Sequence, residues 1–251
     1  MGVRMQILGI DVGGSGIKGA VVDTQTGELV TERHRIPTPK PSKPQAVAGV
    51  FGKIIDHFEW QGPIGVGFPA PILNGYTKMA ANVDDEWLDF RAEEYLSGQT
   101  GCAVTMINDA DAAGLAEMRF GAGQDQPGIV VVITIGTGLG TVLFSNGVLV
   151  PNTEFGHIEV RGKDAEVRAS DAARKRRAMS WKKWGKHFDE YLNTLEKLLW
   201  PDMFILGGGG SKKLHKFKKY LTVQAKVVPA EFLNEAGIVG AALAAKEKPL
   251  A

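Results

Sequence analysis

A carboxylate stands just ahead of a glycine run near the beginning of the chain, where residues 7–23 read ILGIDVGGSGIKGAVVD. Glycine lets the backbone turn tightly and lets its N–H groups face an anion without a side chain in the way. A carboxylate beside such a loop can hold Mg²⁺ through water. The pattern predicts a phosphate-binding loop, with Asp11 as its magnesium residue, made of Asp11, Gly13, Gly14, Ser15, Gly16 and Lys18.

The same order of parts occurs a second time, because residues 133–144 read ITIGTGLGTVLF. One glycine-rich hairpin can be a plain turn, but two of them indicate two related half-domains that each offer a loop to a phosphate. The second predicted loop comprises Thr134, which corresponds to Asp11, with Gly136, Thr137 and Gly138. A third run follows a predicted strand and precedes basic residues, which also suits an anion. It consists of Gly207, Gly208 and Gly209.

Two other phosphate-binding patterns do not fit the first loop. Gly14, Gly16 and Gly19 match the G-x-G-x-x-G spacing of dinucleotide-binding folds, but that fingerprint needs a helix after the glycines. A short β-branched segment, residues 20–23, follows instead, so the loop joins two strands. No Gly-Lys-Ser/Thr follows the glycines, which excludes a Walker A loop.

Polar residues also occur where a predicted strand, 103–107, gives way to a predicted helix, 112–120. Asn108 and Asp109 lie at this junction, which is the mouth of an α/β sheet, where ligands bind. The alternative for Asp109 is a helix cap. Further along, Glu154 and His157 flank a glycine in the sequence EFGH. They suit a polyhydroxylated ligand, and the alternative for them is an exposed polar loop.

The composition is that of a globular protein with enough residues to build two domains. The chain has 251 residues, and domains typically have ~100–150. No apolar run approaches the ~18 residues of a membrane span, and Asp11 interrupts the apolar start too early for a signal peptide. The single cysteine, Cys102, allows no intrachain disulfide, which fits a reduced, cytoplasmic location.

The net charge of +1 conceals a strongly basic region. Residues 174–226 contain fourteen Lys or Arg against four Asp or Glu. A helix is predicted over 179–199, because an apolar stripe at helical spacing comprises Trp181, Trp184, Phe188, Leu192, Leu195 and Leu199. The lysines off this stripe are Lys182, Lys183 and Lys186, and such lysines are usually a solvated face. The region carries no recognisable nucleic-acid motif, so no nucleic-acid partner is expected.

Five motifs, in this order, resemble the ROK family of sugar kinases: IDVGGSGIKGAVVD, INDADAA, ITIGTGLG, EFGH and ILGGG. The resemblance covers essentially the whole chain. It implies the α/β fold of hexokinases and other actin-like ATPases, with two domains and a cleft between them. We therefore expect an N-terminal domain over 1–107, onto which a helix in 234–251 packs back, and a C-terminal domain over 108–233.

The family resemblance implies a role for each matching residue. Asp109 matches the general base that takes the proton from the sugar 6-hydroxyl. The two hairpins match the phosphate and Mg²⁺ site, and the third glycine run matches the nucleotide loop. The positions that match the hexose pocket are Gly67, Asn82, Asn108, Asp109, Glu154, His157 and Glu166.

Within the family, the chain is most similar to the polyphosphate glucokinases, because the segment from Trp181 to Leu192 resembles their tryptophan-bearing helix. The expected reaction is phosphorylation of glucose at the 6-hydroxyl with polyphosphate or ATP as donor and Mg²⁺ as cofactor, and mannose is a further candidate acceptor. A linear polyanion needs cations over a distance. We expect a track of lysines to supply them, made of Lys182, Lys183, Lys186, Lys212 and Lys213.

The chain departs from many ROK proteins in the stretch after His157, which lacks the cysteines of their zinc motif, so no structural zinc is expected. No helix-turn-helix precedes the first strand, which argues against a repressor. Two alternatives stay open: a strictly ATP-dependent ROK hexokinase whose basic helix is a solvated face, and a non-catalytic sugar sensor. The family further implies a homodimer, and no membrane partner is expected.

Overall fold

The computed structural model describes residues 6–80, 83–232 and 235–247. The chain forms two compact units. The first unit comprises Met1–Ala116 and Glu235–Ala251, and the second comprises Glu117–Asn234. Within the described ranges, no helix has the length and the apolar character that crossing a membrane requires.

Groups of strands and helices follow one another along the chain. The elements up to residue 120 are β1 (Gln6–Gly13), β2 (Gly16–Asp23), β3 (His34–Ile36), α1 (Pro44–Phe58), β4 (Ile64–Phe68), β5 (Ile72–Leu73), β6 (Tyr76–Thr77), α2 (Ala92–Thr100), β7 (Val104–Asn108) and α3 (Asp109–Phe120). The later elements are β8 (Ile129–Ile135), β9 (Leu139–Ser145), β10 (Val148–Val150), α4 (Glu166–Ala169), α5 (Asp171–Arg176), α6 (Trp181–Leu199), β11 (Met203–Gly207), α7 (Gly208–Ser211), α8 (Leu214–Phe217), β12 (Lys226–Pro229) and α9 (Ala236–Glu247).

The five-stranded sheets of the two units have the same topology. The order is β3-β2-β1-β4-β7 in the first unit and β10-β9-β8-β11-β12 in the second. In each sheet the first three strands are antiparallel neighbours and the last two add in parallel. The hairpins β1–β2 and β8–β9 occupy equivalent places, which confirms the internal repeat predicted from the two glycine-rich hairpins.

Close backbone packing builds the core of the first unit. A Cβ added to Gly65 of β4 would come 1.8 Å from the carbonyl oxygen of Ala241, so α9 lies directly on the sheet. The same closeness joins α9 to α3, because a Cβ on Gly240 would come 1.6 Å from the carbonyl oxygen of Ala112. The apolar face of α1 also packs into this core, through the buried residues Val47, Val50, Phe51 and Ile54.

The core of the second unit is centred on α6. Its buried face contains Trp184, Phe188, Tyr191, Leu192 and Leu195. The α6 lysines, defined here as Lys182, Lys183 and Lys186, are exposed. The predicted division of the helix into an apolar stripe and a basic face is therefore confirmed, with Tyr191 added to the stripe.

Two predicted strands are shorter in the structure. The prediction of a strand over 221–228 was wrong for its first half, because β12 begins at Lys226. Carboxylates of α6 bind the backbone there: Asp189 accepts the N–H of Thr222, and Glu196 accepts those of the two residues before Lys226. Similarly, the third strand predicted near 28–35 is reduced to β3 and an isolated bridge at Leu29.

The units divide between Ala116 and Glu117, within α3. The sequence-based boundary lies between residues 107 and 108, before this helix. The difference has a packing reason, since the first turns of α3 contact α9 at Ala112 and belong with the first unit. The helix α9 likewise belongs to the first unit, where it packs against β1, β4 and β7.

Candidate active site

Parallel strand pairing brings four of the predicted site positions to one edge of the first sheet. Asp11 of β1 pairs with Gly67 of β4, and Gly67 pairs with Ile107 of β7. Asn108 and Asp109 directly follow Ile107, so they lie beside the same edge. A Cβ on Gly67 would come 3.8 Å from the Cα of Asp109, so the two residues are close neighbours.

At the junction between β7 and α3, the side chain of Asn108 caps the helix. Its Oδ1 accepts the backbone N–H of Ala110 at 2.9 Å and that of Asp111 at 3.2 Å. Asp109 is the first residue of the helix and is partly exposed. The capping bonds seen at this junction are therefore those of Asn108.

Asp11 is held between a cation and a helix. Its Oδ2 accepts a hydrogen bond of 3.0 Å from Nζ of Lys18, the residue opposite it in the β1–β2 hairpin. A Cβ on Gly237 of α9 would come 3.1 Å from Cγ of Asp11, so this helix begins against the carboxylate. The side chain of Asp11 keeps 19% of its surface exposed, and one partly exposed carboxylate fits water-mediated Mg²⁺.

No direct protein cage for a metal accompanies Asp11. Among the described residues, no group of three or more His, Cys, Asp or Glu side chains is placed to hold a metal ion. A Mg²⁺ ion that arrives with a phosphate donor needs only one or two carboxylates, because phosphate oxygens and water complete its coordination. The residues present therefore fit a donor-bound Mg²⁺ rather than a resident metal centre.

The tip of the first hairpin is exposed and has a cationic neighbour that the motif did not reveal. Gly14 and Ser15 form the exposed turn. Nη2 of Arg35, on β3, donates to the carbonyl oxygen of Ser15 at 2.6 Å, and a Cβ on Gly16 would come 2.5 Å from its Nε. Thr38 anchors the other side through a 2.5 Å bond to the carbonyl oxygen of Gly13.

The second hairpin and the third glycine run are neighbours in the second sheet. Thr134 pairs with Gly140 in β9 and with Gly207 in β11, so the two predicted loops share one strand edge. The loop Gly136–Gly138 is closed by a 3.1 Å bond from the N–H of Gly136 to the carbonyl oxygen of Gly138, and it contains Thr137. Gly208 has φ +74° and packs against Ile135. Gly209 follows it in α7 and is exposed.

The sequence EFGH is fixed onto the β8–β9 hairpin. The buried hydroxyl of Thr141, on β9, accepts the N–H of Phe155 at 2.8 Å and donates to the carbonyl oxygen of Thr153. A Cβ on Gly156 would come 2.2 Å from the carbonyl oxygen of Leu139, so only glycine permits this contact. The short 3₁₀ turn that follows, Phe155–His157, places Glu154 and His157 at its two ends.

Glu166 joins this cluster from α4. Its Oε2 accepts the N–H of Leu139 at 3.3 Å and would lie 2.3 Å from a Cβ on Gly138. Burial raises the pKa of Glu154, with a further contribution from Glu166, while His157 opposes the rise. The structure thus brings together Glu154, His157 and Glu166 in the second unit. Asn82 lies outside the described residues.

The basic surface of the second unit contains more than the predicted lysines. All five predicted track lysines are exposed, the α6 lysines on their helix and Lys212 and Lys213 between α7 and α8. Trp181 carries two further cations that the sequence pattern did not single out. Cζ of Arg174 lies 4.1 Å from its ring centroid and Nζ of Lys216 lies 6.0 Å away.

A cavity of about 730 Å³ flanks α6 on another side. Of the five track lysines, Lys186 lines it, together with Arg161, Arg168 and Lys197. The carboxylate of Glu190 pairs with both arginines, at 3.1 Å to Arg168. Of the α6 lysines, Lys186 thus lies at this cavity, while the cations at the Trp181 ring are Arg174 and Lys216.

The chain belongs to the ROK family, whose model matches residues 7–172. Its fold is the two-domain, actin-like fold of ROK sugar kinases. The crystal structure of a ROK family glucokinase from Streptomyces griseus matches with a TM-score of 0.82, covering 97% of this chain and 100% of that chain, at 23% identity.

Two proteins with higher sequence identity to this chain have more specific names. The chain is 48% identical over 237 residues to a polyphosphate glucokinase of Mycobacterium tuberculosis, which covers 94% of this chain and 89% of that protein. The crystal structure of an inorganic polyphosphate/ATP-glucomannokinase from Arthrobacter sp. strain KM matches with a TM-score of 0.89 and 44% identity, over 95% of this chain and 97% of that chain.

Proposed function

We propose that this protein phosphorylates glucose at the 6-hydroxyl, with inorganic polyphosphate or ATP as the phosphoryl donor. The observation that carries the proposal is the 48% identity to a polyphosphate glucokinase over 94% of the chain. The match at 44% identity to a polyphosphate/ATP-glucomannokinase supports both donors and makes mannose a second acceptor to test.

Asp109 serves as the general base. It follows the carboxyl end of β7, and the capping bonds at this junction come from Asn108. The carboxylate orients the sugar 6-hydroxyl and takes its proton as the oxygen attacks the terminal phosphorus of the donor. The bridging P–O bond to that phosphorus breaks, and the shortened polyphosphate or ADP leaves with the bridging oxygen. A positioned general base contributes typically 10²–10⁴-fold to such a rate.

Proposed hexose-binding residues occur in each unit. We assign Asn108, Asp109 and the backbone at Gly67 in the first unit, and Glu154, His157 and Glu166 in the second. Asn108 uses Oδ1 for the helix cap, so its amide group is the part that can donate to a sugar oxygen. Asn82 remains a predicted hexose residue.

Each unit contains one glycine hairpin, and we assign both hairpins to phosphate binding. Their backbone N–H groups and Lys18 neutralise phosphate oxygens, and Asp11 holds the donor-bound Mg²⁺ through water. Mg²⁺, when bound, withdraws charge from the transferred phosphoryl group. Phosphoryl transfer depends mainly on such positioning and charge neutralisation. The run Gly207–Gly209 binds the nucleotide when ATP is the donor.

The basic surface of α6 and the two lysines before α8 extend the donor site for a long polyanion. A strictly ATP-dependent enzyme does not need this surface, and a sugar sensor needs no donor site. A homodimer and a cytoplasmic location, both expected from the sequence, stay predictions.

A donor comparison on nucleotide-free protein tests the proposal. Glucose 6-phosphate is measured with long-chain polyphosphate, with ATP, and with neither. We expect product when polyphosphate is the sole donor present. Product with ATP only would leave the ATP-dependent kinase as the function, and glucose binding without product from either donor would leave the sensor. Replacing glucose by mannose in the same assay defines the acceptor range.

A further inference from the structure

His157 has a specific partner in a short hairpin that follows it. Nδ1 of His157 lies 3.0 Å from Oδ2 of Asp164. The hairpin bridges Glu159 to Asp164 and is closed by a 2.8 Å bond from the N–H of Val160 to the carbonyl oxygen of Lys163. Its turn contains Gly162 with φ +75°. The backbone of the hairpin thus carries Asp164 back to the histidine.

The bond to Asp164 determines which ring nitrogen of His157 carries the proton. An ionised carboxylate can only accept hydrogen bonds, so Nδ1 must donate. In the neutral ring, Nε2 is then left with its lone pair. Free imidazole side chains favour the opposite tautomer, with the proton on Nε2. A single carboxylate therefore changes what His157 can offer to a ligand.

Electrostatics around the ring agree with this geometry. The hydrogen bond to Asp164 raises the pKa of His157, with smaller contributions from Glu166 and Glu154, while partial burial opposes the rise. The side chains of His157 and Asp164 are 47% and 51% exposed, so their ion pair stabilises the fold little. The main consequence of the pair is the orientation and protonation of the ring.

We infer that Asp164 is a positioning residue for hexose binding: it fixes His157 in the Nδ1-protonated form and presents Nε2 to a sugar hydroxyl. This inference rests on the proposed function, in which His157 contacts the hexose. Asp164 itself touches no substrate. The sequence did not single it out, because Asp164 is seven residues away from the histidine and returns to it only through the intervening turn.

A double-mutant cycle tests whether Asp164 acts through His157. We expect Asp164→Ala to raise the KM for glucose by about tenfold, the scale on which outer partners of a ligating histidine act, and to change the KM for polyphosphate little. In a His157→Ala background, Asp164→Ala should have no further effect on the glucose KM. Asp164→Asn retains an acceptor oxygen for Nδ1 and should restore most of the glucose affinity. Glu159→Ala removes the same charge from the same hairpin and should leave both KM values unchanged.

A measurement that does not depend on activity tests the tautomer of His157 separately from its contact with the hexose. In protein labelled with ¹⁵N-histidine and free of sugar, at a pH above the titration of the ring, Nδ1 of His157 should be protonated and Nε2 should not. Asp164→Ala should convert the ring mainly to the opposite tautomer, and Asp164→Asn should not.

Each contrary outcome has a different meaning. An equal rise in glucose KM in both backgrounds, or an unchanged tautomer in Asp164→Ala, would overturn the positioning role. The expected tautomers together with an unchanged glucose KM in His157→Ala would also overturn the inference, but they would locate the failure in the proposed hexose contact. A donor assay that yields no glucose 6-phosphate with either donor would refute the proposed function alone, because the tautomer measurement needs no turnover.

Discussion

Asn108 and Asp109 are adjacent in the chain and differ in surroundings. Asn108 is buried, and its Oδ1 satisfies two N–H groups at the start of α3. Asp109 is the partly exposed first residue of the helix. Because an N-cap oxygen contributes about 1 kcal/mol to a helix, a change at Asn108 affects stability as well as any ligand contact. A change at Asp109 should therefore report on chemistry more directly.

We expect Asp109→Asn to lower kcat at least ~100-fold and to leave glucose affinity within a few fold, because the amide keeps the shape of the carboxylate and cannot take a proton. Initial rates of glucose 6-phosphate formation and calorimetric glucose binding check both parts. Asp125→Asn makes the same change at an exposed turn and serves as the control. A loss of only a few fold in kcat would remove Asp109 from the role of general base.

At the scale of elements, the sequence predicts most where local chemistry decides the structure. The glycine-rich hairpins, the apolar stripe of α6 and the closing helix α9 follow from turn residues and periodicity. Hydrogen bonds between the backbone and side chains that are distant in the sequence are not visible in such patterns. The segment before β12 is an example. Its backbone N–H groups donate to Asp189 and Glu196 of α6 rather than to a neighbouring strand.

The same limit applies to the candidate site. Its glycines, Asp109 and His157 could be predicted from short motifs. Arg35 and Asp164 could not be predicted. Arg35 contacts the first hairpin from a separate strand, β3, and Asp164 contacts His157 only because a turn brings the chain back. Gly237 was missed for a similar reason: its contact with Asp11 depends on a helix more than two hundred residues away in the chain.

The buried carboxylate of Glu117 accepts backbone hydrogen bonds from two separate segments of the second unit. Glu117 is 1% exposed, and its oxygens accept the N–H of Phe232 at 2.7 Å, that of Glu231 at 2.9 Å and that of Ala122 at 3.1 Å. Three backbone donors therefore depend on one side chain, which connects the end of α3 to the segment after β12.

We expect Glu117→Gln to lower the free energy of unfolding by about 2 kcal/mol, because hydrogen bonds to a charged acceptor are worth ~1.5–3 kcal/mol and one oxygen becomes a donor that faces other donors. Urea unfolding followed by circular dichroism measures the change. Glu231→Gln alters an exposed side chain in the same segment and should cost less than ~0.5 kcal/mol. Equal stabilities for the two variants would show that the buried bonds contribute nothing specific.

The basic face of α6 gives a prediction about donor choice. Replacing the three α6 lysines by glutamine should lower kcat/KM with polyphosphate at least about tenfold, roughly 1.4 kcal/mol, and should change the ATP reaction much less. The reason is that ATP is held mainly by the glycine loops. Long polyphosphates should lose more than short ones, because they reach further along the track.

The control removes three positive charges elsewhere, at the exposed residues Lys53, Arg119 and Lys226. It should retain the native ratio of the two donor activities. Equal losses with both donors in the α6 variant would mean that its lysines support the common site or the fold. No loss with either donor would leave the basic face as a solvated surface and favour the ATP-dependent alternative.

At the scale of the whole molecule, the charge is almost balanced in total and strongly unbalanced in distribution. Fourteen of the 29 Lys and Arg residues lie in residues 174–226, which belong to the second unit. A locally basic surface attracts a polyanion by charge and releases the counterions condensed on it. For a linear single-chain polyanion, the logarithm of affinity falls with the logarithm of salt concentration by about 0.7 for each phosphate contact.

Salt dependence should therefore separate the two donors. Plots of log kcat/KM against log salt concentration should be distinctly steeper for long-chain polyphosphate than for ATP, because ATP carries fewer charges and occupies fewer contacts. If the α6 lysines each contact one phosphate, their replacement by glutamine should reduce the polyphosphate slope by about 2. The control at Lys53, Arg119 and Lys226 lowers the net charge equally and should retain the native slope. Equal slopes for both donors in the native protein would show that no extended polyanion track operates. The same loss of slope in the two triple variants would show that net charge, rather than a defined track on α6, governs the use of polyphosphate.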